Sequence, residues 1–203
     1  MEQHSDTFLA NASKALKNSG QAERRDKIGL LAPQIRAAAI HSFDGFDELR
    51  QHVKEVRQHS LNNLDYYLSQ FEKEAVQNGN QVHFARDSEE FNSLILDICQ
   101  QHDARRIAKG KSMVTEETGL NSFLQGAGLN VRETDLGEYI VQQAGETPSH
   151  IVRPALHKSA NDIRELFQQK HDLGARKLDK TSDLVVEARN VLRKDFLQAE
   201  VGV

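Results

Sequence analysis

At 203 residues the chain is long enough for one sizeable domain, or for a smaller domain with an appendage. Its 38% hydrophobic content is low for a globular protein, and the net charge of −4 with a pI near 6.1 points away from nucleic acid or an anionic membrane as the main partner. No apolar run approaches the ~20 residues of a membrane span, and the N-terminus lacks the basic stretch and apolar core of a secretory signal. The single cysteine, Cys99, excludes an internal disulfide and any cysteine-ligated iron–sulfur cluster held by this chain alone, so a reduced, cytoplasmic setting is expected.

Residues 1–43 are polar with patchy helical signals. Ile28, Leu31, Ile35 and Ile40 predict a helix with Pro33 near its start, and Asp44 with Gly45 marks a turn. From Phe46 the positions Leu49, Val53, Val56, Leu64, Tyr67, Leu68, Phe71 and Ala75 recur mostly at three and four residues. They predict one long amphipathic helix ending before Asn78 and Gly79. His52 and His59 lie two turns apart on it, about 10 Å along the axis, too far to share one metal ion.

Beyond Gly79 the texture changes to an α/β rhythm, so a helical segment over 1–78 and an α/β domain over 79–203 are expected. Residues 82–85 form a short strand candidate. Asp87 with Glu90 resembles a capping box, opening a helix through Phe91, Leu94, Ile95, Ile98 and Cys99, which places Cys99 on an apolar stripe as an inert buried thiol. Residues 106–108 read as a strand. A helix over 115–125 follows, capped by Thr115, with Glu116 and Glu117 in its first turn and Gly126 to Gly128 as its end.

Residues 129–133 are the next strand, and Asp135 with Glu138 opens a helix through Tyr139, Ile140 and Val141 to Gly145. Residues 150–153 read as a third strand, and Ser159 with Asp162 starts another helix through Ile163, Leu166 and Phe167. Ser182 or Asp183 begins the last helix, through Leu184, Val185, Ala188, Val191, Leu192 and Phe196. Val201 and Val203 look like the opening of one more strand, so the chain is expected to be a piece of a longer protein. Alternating strands and helices predict βαβ units, a parallel sheet and helices on both of its faces.

Within this frame, residues 109–119 attract attention, since ligands in open α/β sheets sit beyond the carboxyl ends of strands. Gly110, Lys111 and Ser112 invite comparison with a phosphate-binding loop, but that motif needs a glycine where Arg105 stands. A looser reading has Lys109, Lys111, Ser112, Thr115 and Glu116 around a small anionic ligand; the plainer one has solvated lysines and capping hydroxyls. Asp135 and Glu138 are either a carboxylate pair or a capping box, and His150 and His157 either acid–base groups or rim residues. No cluster with metal-ligand spacing occurs, and no residue can be assigned a catalytic role.

Three blocks carry a resemblance: residues 109–119 with the run SMVTEE…GLN, which reaches Asn121, residues 133–140 (ETDLGEYI), and residues 148–158 with PSHI and PALHK. Together they closely resemble the iron–sulfur subunit of the bacterial lactate-utilization system, a LUD-domain family, over about residues 46–203. The resemblance implies a fold similar to the sugar-phosphate isomerase and CoA-transferase-like α/β domains. It also implies a cytoplasmic system that oxidises L-lactate to pyruvate, with other lactate-utilization subunits as partners. In such proteins [4Fe–4S] clusters are expected on a cysteine-rich segment that this chain lacks. The alternative is an α/β module that binds or acts on an anionic carboxylate, phosphate ester or CoA thioester.

Overall fold

The computed structural model describes residues 5–17 and 19–203. They divide into two compact units, Thr7–Phe84 and, in the main, Ala85–Val203.

The first unit is helical: α1 (Phe8–Leu16), α2 (Ser19–His41), α3 (Phe46–Asn62) and α4 (Leu64–Gln77). Pro33 sits inside α2 rather than near its start. The single long helix expected from residue 46 is two, because Asn63 leaves the helical region (φ −125°, ψ 32°). None of α1, α3 or α4 buries a residue, and the apolar stripe of α3 and α4 lies open, with Val53 47% and Phe71 64% exposed. Residues 82–85 form no strand.

The second unit is mixed α/β. Its elements are α5 (Ser88–Gln101), β1 (Arg106–Lys109), α6 (Met113–Glu117), α7 (Leu120–Gly126), β2 (Asn130–Glu133), α8 (Leu136–Ala144), α9 (Ala160–Lys170), α10 (Thr181–Gln198) and β3 (Val201–Gly202). The sheet has the order β2-β1-β3, and both pairings are parallel. The predicted α5 and α9 caps form: Asp87 accepts from the Glu90 amide, and Ser159 and Asp162 make a reciprocal box.

Strand alternation explains the layering. Ile107 and Val131, register partners, face α5 and α7 and pack with Cys99, Ala104, Leu120 and Leu124. A second core lies among α8, α9 and α10, where Tyr139, Ile140, Phe167, Leu184, Ala188 and Leu192 meet. On that side Arg132 of β2 reaches Asp195 of α10 at 2.9 Å. Helices therefore cover both faces, as the alternation predicts.

Two expectations are corrected here. Residues 150–153 are a bend and not a strand: the His150 Nδ1 accepts the Val152 and Arg153 amides at 3.1 and 3.0 Å, and Pro154 follows. The helix expected over 115–125 is split by Gly119 (φ 66°) into α6 and α7, and its first cap is Ser112, whose hydroxyl accepts from the Thr115 amide.

The edge of β2 is closed by a side chain. The Gln142 amide of α8 donates to the Val131 carbonyl at 2.9 Å and accepts the Glu133 amide at 3.1 Å, completing the ladder that a neighbouring strand would otherwise make. At the start of β1, the Glu200 carboxylate accepts the Arg105 and Arg106 amides and pairs with the Arg106 guanidinium at 2.6 Å. Among the described residues no helix is long and apolar enough to cross a membrane.

Candidate functional site

Lys109 is the last residue of β1 and not a turn residue, and the period of two turns it to the same face as Ile107. Only 1% of it is exposed, so neither a solvated lysine nor a free cation describes it. Its ammonium lies 2.8 Å from Glu133, its register partner on β2, 3.0 Å from the Thr115 hydroxyl and 3.5 Å from Glu116. An ammonium has three donors, and here three acceptors meet them. Asn121 of α7 donates to the same Glu133 oxygen at 2.5 Å, while the other Glu133 oxygen has no hydrogen-bond partner among the described residues. Burial pushes the Glu133 carboxyl up, against the pull of the Lys109 and Asn121 hydrogen bonds.

The neighbouring turn is tied down in the same manner. Thr134 donates its hydroxyl to the Lys109 carbonyl at 2.8 Å, and Lys111 pairs at 2.9 Å with Glu138, itself buried on α8. Asp135 does cap α8, accepting from the Gly137 and Glu138 amides at 3.0 and 3.2 Å. Glu138 does not complete the box toward the backbone; its carboxylate goes to Lys111. Gly137 faces the Pro154 ring so closely that an added Cβ would lie 3.0 Å from Pro154 Cδ.

The three sequence blocks thus converge beyond the carboxyl ends of β1 and β2. The first meets the second through Lys109 with Glu133 and Lys111 with Glu138, and the second meets the third through Gly137 with Pro154. Ser112, Thr115 and Glu116 belong to this knot, as cap, buried acceptor and outer acceptor. A small anion over it would have to displace Glu133 or Glu138 from its lysine.

His150 and His157 serve different partners. His150 holds its own turn, whereas His157 bridges Ser149 (2.8 Å) and Glu146 (2.6 Å), and Lys158 joins Glu146 at 2.5 Å. Burial alone would raise the Glu146 pKa, but hydrogen bonds from Lys158 and His157 outweigh it and hold the carboxyl below its usual range. A groove of about 430 Å³ opens beside β1 and β3, lined by Ala108, Gly110, Thr134, Phe196 and residues 199–203, with no basic side chain in it.

Sequence reasoning did not select Glu133 or Asn121 as site residues, although both stand in the runs it quotes. Nor did it find a buried polar chain inside the second core. There the Tyr139 hydroxyl meets His171 Nε2 at 2.8 Å, His171 Nδ1 meets Glu187 at 3.1 Å, and Arg176 donates to Glu187 at 2.7 Å. A carboxylate at Nδ1 fixes the proton there and leaves Nε2 to accept from the phenol. Burial drives the His171 pKa below its ordinary 6.5 despite Glu187, and pushes Tyr139 up to about 12. Phe167 stacks on the imidazole at 4.3 Å between centroids. The arrangement resembles a proton relay, yet no reactant reaches it: Tyr139 and Glu187 are 1% and 2% exposed.

An iron–sulfur cluster does not fit these residues. Cys99 is fully buried against the first core and burial pushes its thiol up, and among the described residues no group of three or more His, Cys, Asp or Glu could hold a metal ion. What the arrangement does chemically is tie the β1–α6 turn to β2 and α8 through paired charges.

Comparison with known proteins finds relatives over most of the chain. The chain is 45% identical over 169 residues to lactate utilization protein B of Bacillus velezensis and 44% identical to that of Bacillus subtilis. It is 41% identical over 168 residues to the uncharacterized electron transport protein YkgF of Escherichia coli. Each alignment covers 83% of this chain and 35% of the relative, so the chain spans about a third of the length of these curated relatives. No solved structure was found to match it. The LUD domain model matches residues 68–203, a stretch that contains all three blocks, and the chain belongs to the LUD domain family.

Proposed function

We propose that this chain is the LUD-domain part of a lactate-utilization protein that serves the oxidation of L-lactate to pyruvate in the cytoplasm, beside the other subunits of that system. The observation that carries this reading is the 45% identity over 169 residues to a protein named for lactate utilization. The name of the Escherichia coli relative adds electron transport. Electrons would pass through [4Fe–4S] clusters ligated outside these 203 residues, since the one buried cysteine here suits no cluster. The contribution of this chain is a scaffold: Lys109 and Lys111, each neutralised by a buried carboxylate, fix the β1–α6 turn against β2 and α8.

The test is a chimaera in which this chain replaces the matching region of the Bacillus subtilis relative, scored by growth on L-lactate as sole carbon source. Growth comparable to the parent strain is expected. Growth lost on L-lactate, with the chimaera present at parental levels by immunoblot, overturns the reading.

A further inference from the structure

We propose that α3 and α4 form an antiparallel coiled coil with the same two helices of a second copy of this chain. The stripe Leu49, Val53, Val56 and Ser60 on α3, and Leu64, Leu68, Phe71 and Ala75 on α4, steps by four, three and four residues in each helix, the spacing of a coiled-coil seam. Its large members are 44–64% exposed: Leu68 44%, Leu49 45%, Val53 47%, Leu64 48%, Val56 50% and Phe71 64%. Between Ser60 and Leu64 the step is four in place of three, and the helix breaks there, at Asn63. Outward positions are mostly polar, among them Gln51, Lys54, Glu55, Gln58, Ser69, Gln70 and Lys73.

Charge chooses the occupant. The residues flanking the α3 stripe are Arg50, His52, Arg57 and His59, and those flanking the α4 stripe are Asp65, Tyr67, Glu72 and Glu74. One flank is basic and the other largely acidic. Laying α3 against α4 in antiparallel fashion pairs Leu49 with Ala75, Val53 with Phe71, Val56 with Leu68 and Ser60 with Leu64. All four layers are centred on Asn62, so the two copies break at the same level. The same register sets Arg50 opposite Glu72, Arg57 opposite Asp65, and His52 opposite Glu74, the like-with-like flank pairing of antiparallel coils. A parallel dimer would instead set the basic flank on the basic and the acidic on the acidic.

Pairing within one chain is excluded by the connection. Helical hairpins reverse through about 2–5 loop residues, whereas only Asn63 separates α3 from α4. In the single chain Arg50 lies 3.7 Å from Asp47, and His59 bonds Tyr67 across the break at 2.9 Å. The first is an exposed contact that an opposing Glu72 would replace; the second links the two helices.

Sedimentation velocity of the full 203-residue chain over a concentration series is the test. A reversible monomer–dimer equilibrium is expected. Arg57→Glu and Asp65→Arg each turn two attractive pairs into two repulsive ones and should weaken the dimer about tenfold, while the double variant restores it. These positions are exposed, so folding is kept, as circular dichroism will check. A Val56→Cys/Leu68→Cys chain should form a covalent dimer under mild oxidation, and Leu49→Cys/Leu64→Cys should not. A chain that stays monomeric at every concentration overturns the proposal. So does a dimer indifferent to the single charge reversals, or a double reversal that fails to restore association.

Discussion

At the scale of single residues, the sequence named most of the knot but misjudged how its lysines are used. Lys109 and Lys111 were legible as a pair of cations beyond a strand. What could not be read is that the partner of Lys109 stands 24 positions on, because that contact follows from the parallel register of β1 on β2. The energetic consequence is asymmetric. Lys109→Met leaves Glu133 buried without its counter-charge and should destabilise the fold by about 3 kcal/mol, whereas Lys109→Met/Glu133→Leu should recover part of that loss. Urea denaturation of the three proteins measures both. A second expectation concerns His171, whose pKa burial depresses. Below its ordinary 6.5 the unfolded chain takes up a proton that the folded chain refuses, so stability falls as the pH drops from about 6.5 toward the folded value. Glu133, raised by burial, acts in the opposite sense, its stabilising share fading as pH rises above 4.5. The stability difference between the parent and His171→Gln should therefore shrink on acidification through pH 6.5. A difference constant across that range in chemical denaturation would contradict it.

At the scale of elements, caps and periodicity served well, and failures came where a local bond competed with the pattern. Asp87, Asp135 and Ser159 start the helices they were expected to start, because a side-chain acceptor for orphan amides is a local device. Residues 150–153 carry the β-branched pair of a strand, yet the His150 ring takes two amides of its own turn and no sheet edge lies against them. Gly119 is helix-compatible by periodicity and is spent on a left-handed turn. Two glycines separate propensity from packing. Gly126, with nothing within 4 Å of an added Cβ, should accept alanine and gain up to about 1 kcal/mol. Gly137, 3.0 Å from a rigid proline ring, should lose stability on the same change, although alanine favours helices. Melting temperatures that move in the same direction for both variants would refute this contrast.

At the scale of the whole molecule, the alternation predicted a parallel sheet with helices on both faces, and that is what forms. The strand order was beyond reach, since β3, last in sequence, lies beside β1 and not beyond β2. Family membership was legible because three blocks carry the resemblance, and the same blocks meet one another in the fold. The pairing of one glutamine has a further result for the sheet as a growing object. With Gln142 occupying the ladder of β2, the sheet is terminated on that side. A strand that joins the sheet, whether native or in misassembly, cannot add next to β2 while that amide holds the ladder. Gln142→Leu should therefore give the sheet a sticky end at β2, seen as faster light-scattering aggregation on mild heating. Unchanged aggregation would mean that α8 itself, and not the amide, shields that edge. In the parent the sheet carries its own stopper on that side, a side chain standing in for the next strand.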